Sequence, residues 1–512
     1  MLQIETDGRQ GMTSTPELCL MGHSAIMHLS KLSATFALAF ALFGPTAHSA
    51  VRFTESEIRT DAEPEEIQFT DLNGDGRADL LAIEKTNLVI AFQAPSGTFL
   101  TNQLRYPIAK PSLVWPTKFG TSGPASVLLM TADGVIELLF TNRMPQARDL
   151  IKQPTLLPAE VDKPSLRFFC FTDLNQNHPF LVLPMNTGLQ IWQLNGENWT
   201  NTQTLERGFT TDFIPAPRIP GYSLSLDLDL AIADVNGDGR DDLMFRRDEL
   251  RDRESYALYL QTATGQFELQ PTLSQTNKHA LEVWRCWRDL NKDGKPDLVQ
   301  GTWLNEPWFV PGFRSGKVLV GIYLADTQGQ LPRSPSFSFR KNDWAPAVPL
   351  IDLDGDGFPD LILGYGLFDS RDGLRRMIMT KQVDFKLKFY FWRPGVGYPK
   401  EADCQRDLLV RVDRSMLELG WQRGDFERFV NLSGDFNGDG KRDLVIRDRS
   451  DQVSVYFFQS REKGFSAEPS LTFHCADPIQ SIQVQDLNGD GISDLILRVQ
   501  KRDTLKTFIS EK

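Results

Sequence analysis

The sequence has no strongly basic tract, and its 55 lysines and arginines are outnumbered by 67 acidic residues, a formal net charge of −12. Nucleic-acid binding needs a basic face for phosphate contacts, so that class of partner is excluded. No stretch beyond residue 50 is long and apolar enough to cross a bilayer as a helix. Histidine is scarce: beyond residue 49 there are only His178, His279 and His474, and they share no metal-ligand spacing. GxSxG, HExxH, P-loop and CxxC patterns are all absent, so the chemistries they carry are unsupported and no catalytic residue is assigned. Cysteine is sparse too. Cys170, Cys286, Cys404 and Cys475 are widely and irregularly spaced, which is not a disulfide framework, and free buried thiols are expected.

What is there begins with an export pattern. From Met27 the chain reads "MHLSKLSATFALAFALFGPTAHSA". Lys31 flanks an apolar core, Leu32–Phe43, and Ala47-x-Ser49 forms a small-residue cleavage pattern. Residues 1–49 are therefore expected to be a signal-peptide region with its true start at Met27, cleaved near Ser49–Ala50. The core is too short for an anchor helix. A secreted or periplasmic location follows as an expectation.

One motif then recurs. "DLNGDGRADLL" starts at Asp71, "DVNGDGRDDLM" at Asp234, "DLNKDGKPDLV" at Asp289, "DLDGDGFPDLI" at Asp352, "DFNGDGKRDLV" at Asp435 and "DLNGDGISDLI" at Asp486. Two worn copies fill the first large gap: "KFGTSGPASVL" from Lys118 has lost every carboxylate, and "DLNQNHPFLVL" from Asp173 has lost two. Eight units with fixed loops and variable spacing indicate one supersecondary unit with insertions. Each has a short apolar strand entering the loop ("EIQFTD"), a second leaving it ("DLLAI"), a third ("NLVIAFQ") and a weaker fourth. The alternation and the β-branched and aromatic enrichment predict strands throughout. Four antiparallel strands repeated around a ring predict an all-β fold, a β-propeller of eight blades, or seven if the worn units merge. Residues 50–512 then form a single domain. The last unit lacks a fourth strand, and residues 51–59 belong to no unit, so 51–59 are expected to supply the outer strand of the last blade.

The loop spacing is calcium chemistry. Hard oxygens at positions 1, 3 and 5, a glycine turn at 6, a backbone carbonyl at 7 and a carboxylate at 9 suit an ion that takes six to eight oxygens in flexible geometry. The expected ligands are Asp71, Asn73, Asp75, Arg77 and Asp79 in the first loop, and Asp234, Asn236, Asp238, Arg240 and Asp242 in the fourth. The fifth offers Asp289, Asn291, Asp293, Lys295 and Asp297, and the sixth Asp352, Asp354, Asp356, Phe358 and Asp360. The seventh offers Asp435, Asn437, Asp439, Lys441 and Asp443, and the eighth Asp486, Asn488, Asp490, Ile492 and Asp494. Position 7 contributes only its carbonyl, consistent with its varied side chains. About six Ca²⁺ sites are expected. An EF-hand is excluded because position 12 is Ala82, Phe245, Gln300, Leu363, Ile446 or Leu497 instead of the bidentate glutamate. The rival explanation is a set of metal-free Asx turns.

These loops and their strand-like flanks resemble the FG-GAP and VCBS repeats, the calcium loops of integrin-α-like β-propellers. The resemblance covers nearly all of residues 51–512. The phenylalanine-glycine and glycine-alanine-proline elements that name FG-GAP are not present as such; "AFQAPSGTF" is a loose echo. The resemblance implies a non-enzymatic, extracellular binding protein with a protein or glycan ligand. The alternative is a polysaccharide-active enzyme, because rhamnogalacturonan lyases share this architecture at fold level. Two insertions bear on the choice: "TWLNEPWFVPGFRSG" (302–316), with Trp303, Trp308, Phe309 and Phe313, and "GYGLFDSRDGLRRMIMTKQVDF" (364–385), with Arg371, Arg375, Arg376 and Lys381. Loops on a rigid scaffold are where ligand sites form.

Overall fold

Strand after strand in this chain is buried on both faces, as Asp79–Glu84 is along its whole length. A strand of that kind needs a sheet on each side of its own. The computed structural model describes residues 51–511, except 63–66, 109–112, 120–122, 156–164, 167–170, 173–179, 206–213, 216–221, 224–229, 278–281, 305–307, 342–349, 367–378, 412–429, 500–503 and a few single or paired positions; residues 1–50 are also outside it. The expected signal region, Cys170, His178, His279, most of the third loop and the basic run at Arg371, Arg375, Arg376 and Lys381 lie outside the described residues.

The described chain is all-β, and Val51–Lys512 is one compact unit. Its principal sheets follow one plan: four antiparallel strands, neighbours in sequence being neighbours in the sheet. The first sheet is Ile67–Thr70, Asp79–Glu84, Asn87–Ala91 and Leu104–Pro107. The worn loops do not merge their units. Leu113–Thr117 to Met144–Ile151 make a second sheet, with Ser165–Leu166 added in parallel at its edge. Phe171–Thr172 to Asn198–Leu205 make a third. The fourth to seventh sheets begin at Leu230–Ala233, Glu282–Arg288, Leu350–Ile351 and Val430–Asn431. The last combines Ile479–Gln485, Asp494–Val499 and Thr504–Glu511 with Arg52–Arg59 from the other end of the chain.

That last pairing is antiparallel over eight residues, from Arg52 opposite Glu511 to Arg59 opposite Thr504. Side chains secure it. The Ser56 and Thr507 hydroxyls are 2.8 Å apart, and Lys506 pairs with Glu55. Phe53 stands edge-on to Phe473 at 5.2 Å, and Ile58 is buried. One strand thereby removes an open sheet edge and packs apolar groups on both sides of the last sheet.

Apolar clusters lie between consecutive sheets. Leu81 and Ile90 of the first meet Val127 and Leu138 of the second. Leu128 of the second meets Leu181 of the third, and Val182 of the third meets Leu243 of the fourth. The series continues through Leu258 and Trp287, Val299 and Leu361, Phe389 and Leu444, and Val455 and Leu495. Ile496 and Leu487 of the last sheet then pack on Leu80 and Val89 of the first. The order of packing is cyclic. Each fully buried Leu or Val contributes about 1.5–3 kcal/mol, so these interfaces carry the fold. The fourth strand of a sheet faces solvent and reads accordingly, as in Met144–Ile151, whose middle is exposed.

Candidate metal centre

Each repeated loop joins the first and second strands of its sheet. Its shape follows from short oxygen-bearing side chains bonding to backbone N–H groups just ahead of them. The position 1 carboxylate caps the turn. Asp71 Oδ1 accepts from the Gly74 and Asp75 N–H groups at 2.7 and 3.2 Å, and its Oδ2 from Gly76 N–H at 2.9 Å. Asp435 repeats all three bonds, to Gly438, Asp439 and Gly440. Asp234, Asp289, Asp352 and Asp486 each accept from the glycine at position 6 at 2.8–2.9 Å. Position 3 accepts from the N–H of position 5 in every full copy, through Asn73, Asn236, Asn291, Asp354, Asn437 and Asn488. Position 5 accepts from position 7, through Asp75, Asp238, Asp293, Asp356, Asp439 and Asp490.

Two glycine positions permit this winding. Position 6 has positive φ throughout, as at Gly76 (83°), and so does position 4, as at Gly74 (79°). In the fifth loop position 4 is Lys292, held at φ 59° with its Nζ 4.5 Å from the centre of the Phe358 ring of the sixth.

Position 9 does something different. Asp79, Asp242, Asp297, Asp360, Asp443 and Asp494 are at most 1 % exposed. One oxygen of each accepts from the N–H of position 2 in its own loop, at 2.6–3.2 Å. The other accepts, at 2.7–3.0 Å, from a backbone N–H at or just past the end of the third strand, as from Gln93 and Trp392. The carboxylate thus staples the loop to the sheet. Burial raises its pKa, to about 6 at Asp79, Asp297 and Asp494 and about 7 at Asp242, Asp360 and Asp443; the two backbone N–H bonds oppose the rise. With no counter-charge, the folded state keeps these protons to higher pH than the unfolded chain does. That source of stability is complete below about pH 4 and is lost as pH rises through 6 to 7. A cation at the rim of the loop would pull the pKa values down again.

The loops also touch one another. In the first, seventh and eighth loops the N–H of position 8 donates to the preceding loop: Ala78 to Leu487 O at 2.7 Å, Arg442 to Leu353 O at 2.8 Å and Ser493 to Asp435 O at 2.7 Å. The worn second loop keeps this bond, from Ala125 to Asp71 O at 2.7 Å.

The donor set fits a hard cation. In the sixth loop Asp352, Asp354 and Asp356 bring one carboxylate oxygen each within 4.8 Å of one another. The other full loops place asparagine oxygen where Asp354 stands. The oxygens that accept a single N–H bond, such as those of Asn73 and Asp75, keep a further lone pair, and carboxylate, amide and carbonyl oxygens are what Ca²⁺ takes. The Asx turns and the ion are therefore compatible. Basic side chains at position 7 bend onto position 5: Arg77 reaches Asp75 at 2.6 Å, and Arg240 pairs with Asp238.

His474 is exposed. Cys404 and Cys475 are free, and burial pushes the Cys404 thiol up to about 12 and Cys475 to about 11, so neither is a thiolate at neutral pH.

The fold and these loops define a class: an all-β protein built from repeated four-stranded sheets, each opened by an aspartate-rich turn. The family model described as the FG-GAP-like repeat matches residues 234–300 and 435–497, so these two stretches are FG-GAP-like repeats. Each match starts on one full loop and ends just past the next. Among solved structures, the chain is similar to a lectin of Agrocybe aegerita described as recognising non-reducing terminal N-acetylglucosamine. Identity is 16 %, 62 % of this chain and 78 % of that one are covered, and the TM-score is 0.34. It is also similar to the pore of a Tc holotoxin of Photorhabdus luminescens, at 14 % identity, covering 90 % of this chain and 14 % of that one with a TM-score of 0.35. Likeness at this level says nothing of what this chain binds.

Proposed function

We propose that the protein is an exported, calcium-stabilised, eight-bladed β-propeller that acts as a non-enzymatic binding module for a protein or glycan. The observation carrying this reading is a division of labour between the two ends of the sheets. The six full loops all join first to second strands, so they share one end. Long connections leave from the other end. One joins second to third strands in the fifth sheet, between Asp297–Trp303 and Val318–Tyr323, and another in the sixth, between Asp360–Gly366 and Gln382–Tyr390. The fifth-sheet insertion contains a hairpin of its own, Trp308–Val310 with Phe313–Ser315. Of the exposed large apolar side chains, Leu304 and Met379 lie in these two connections. Metal at one end would hold the loops in shape and leave the other end for recognition.

A glycan array and a pull-down from the native extracellular fraction, each with the intact chain and with residues 304–317 replaced by a short Gly-Ser turn, test this. Binding is expected to need the insertion and to weaken only indirectly, through stability, on chelation. Undiminished binding by the shortened chain overturns the assignment of the face.

A further inference from the structure

The sixth loop differs from all its sisters at one position and from four of them at a second. Position 3 is Asp354, where the other full loops have asparagine, and position 7 is Phe358, where the first, fourth, fifth and seventh have a base. Relative to the first loop it gains one negative charge and lacks the arginine that reaches Asp75. A cation from another sheet stands at that spot. Arg461 lies in the ribbon between Phe458–Ser460 and Gly464–Phe465, which connects the third and fourth strands of the seventh sheet. Its Nε pairs with Asp354 Oδ2 and its Nη2 with Asp356 Oδ2 at 2.6 Å. Its Nη1 donates to Trp392 O at 3.3 Å, and its guanidinium carbon sits 5.7 Å from the centre of the Phe391 ring. Arg461 is thereby held by the loop and by the end of the sixth sheet's third strand together, and Trp392 in turn donates its N–H to Asp360.

This is unlike the in-loop arginines. Arg77 and Arg240 each engage a single carboxylate two residues away, at position 5 of their own loops. Arg461 spans positions 3 and 5 with the fork of a guanidinium, 105 residues from Asp356 in the chain, and crosses a sheet boundary to do so. Those two carboxylates are half of the expected side-chain ligand set. A divalent ion drawing on the same oxygens would face a fixed positive charge a few ångströms away and would have to displace it. The tethered group competes at a high effective concentration, whereas a loop of this type holds Ca²⁺ with a Kd of roughly 10⁻⁴–10⁻³ M.

We infer that Arg461 is a built-in counter-ion that takes the place of calcium in the sixth loop, closing it without metal and fastening the seventh sheet to the sixth. The inference rests on the calcium reading of the other loops. It divides six look-alike loops into five that load and one that is self-neutralised.

The test is the number of calcium ions bound per full chain, measured by equilibrium dialysis and elemental analysis at millimolar Ca²⁺. Arg461→Met is expected to bind one more ion than the wild type, and Asp356→Asn in the wild-type background to bind the same number as wild type. Equal, non-zero counts for Arg461→Met and wild type overturn the inference alone, as does the loss of one ion in Asp356→Asn. The second variant keeps the test open if Arg461→Met does not fold. Zero ions bound by the wild type overturns the calcium reading itself, and this inference with it.

Discussion

The first and second loops are neighbours, and they solve the same problem with opposite chemistry. The first carries Asp71, Asp75 and Asp79; the second, from Lys118, has no carboxylate at all. Yet both open a four-stranded antiparallel sheet, both keep a glycine of positive φ at position 6, and a backbone bond from Ala125 to Asp71 joins them. The buried staple at position 9 also has a counterpart. Where Asp79 accepts two backbone N–H groups, Ser126 donates its hydroxyl to Glu137 at 2.6 Å, and the almost fully buried Glu137 pairs with Arg148. A sheet of this fold can therefore be made without an aspartate loop. The carboxylates of the six full loops are not what builds a sheet; the apolar clusters do that, and the loops tune how firmly the ends hold together.

That comparison breaks most decisively on metal removal. If six, or five, loops bind calcium with the affinity usual for extracellular modules, millimolar Ca²⁺ adds on the order of 1 kcal/mol per site, hence about 5 kcal/mol in all. EDTA should lower the thermal midpoint by many degrees, and calcium should restore it. Hydrogen exchange should show the first loop loosening more than the second. A midpoint that EDTA leaves unmoved would make the six full loops metal-free Asx turns, and would leave the first and second loops differing in turn chemistry and not in metal binding.

Next in size is the staple. Asp443→Ala strands two buried N–H groups, of Phe436 and Phe458, each costing about 1–3 kcal/mol unmet. A loss of about 3 kcal/mol is expected, and it should persist in EDTA because these partners are backbone. Ser126→Ala in the second loop removes one of the groups bonded to Glu137 and should cost about 1 kcal/mol. Urea denaturation with and without chelator checks both. A penalty for Asp443→Ala that vanishes in EDTA would recast position 9 as a pure ligand.

The staple also marks where the sequence stopped being readable. Strand order, the two worn units and the loop turns are legible because apolar alternation and glycine spacing are local signals. The side-chain direction at position 9 is not. An aspartate at ligand spacing looks the same whether it faces an ion or the N–H groups of a neighbouring strand. The donors to Asp360 and Asp443, Trp392 and Phe458, come from just past the third strand, whose distance in sequence varies with the insertions. Arg461 was hidden for the same reason: its partners are in another sheet, and nothing around it repeats. Position 4 was visible, as glycine in five of six full loops, but its need for positive φ emerges only with the backbone.

The smallest effect tests what the two loops share. Gly76 and Gly123 occupy position 6 in the first and second loops, at φ 83° and 102°, and an added Cβ at either meets nothing within 4 Å. Space is therefore not the constraint; backbone conformation is. Alanine at a positive φ costs roughly 1–2 kcal/mol, partly offset because it also restricts the unfolded chain by about 0.4–1 kcal/mol. Gly76→Ala and Gly123→Ala should each destabilise by about 1 kcal/mol in EDTA. In calcium the two should separate: the first loop would lose part of its metal affinity as the turn opens, and the second would not respond. Equal penalties in both conditions would mean that position 6 shapes the turn without shaping the ion site, and that the difference between the loops lies wholly in their carboxylates.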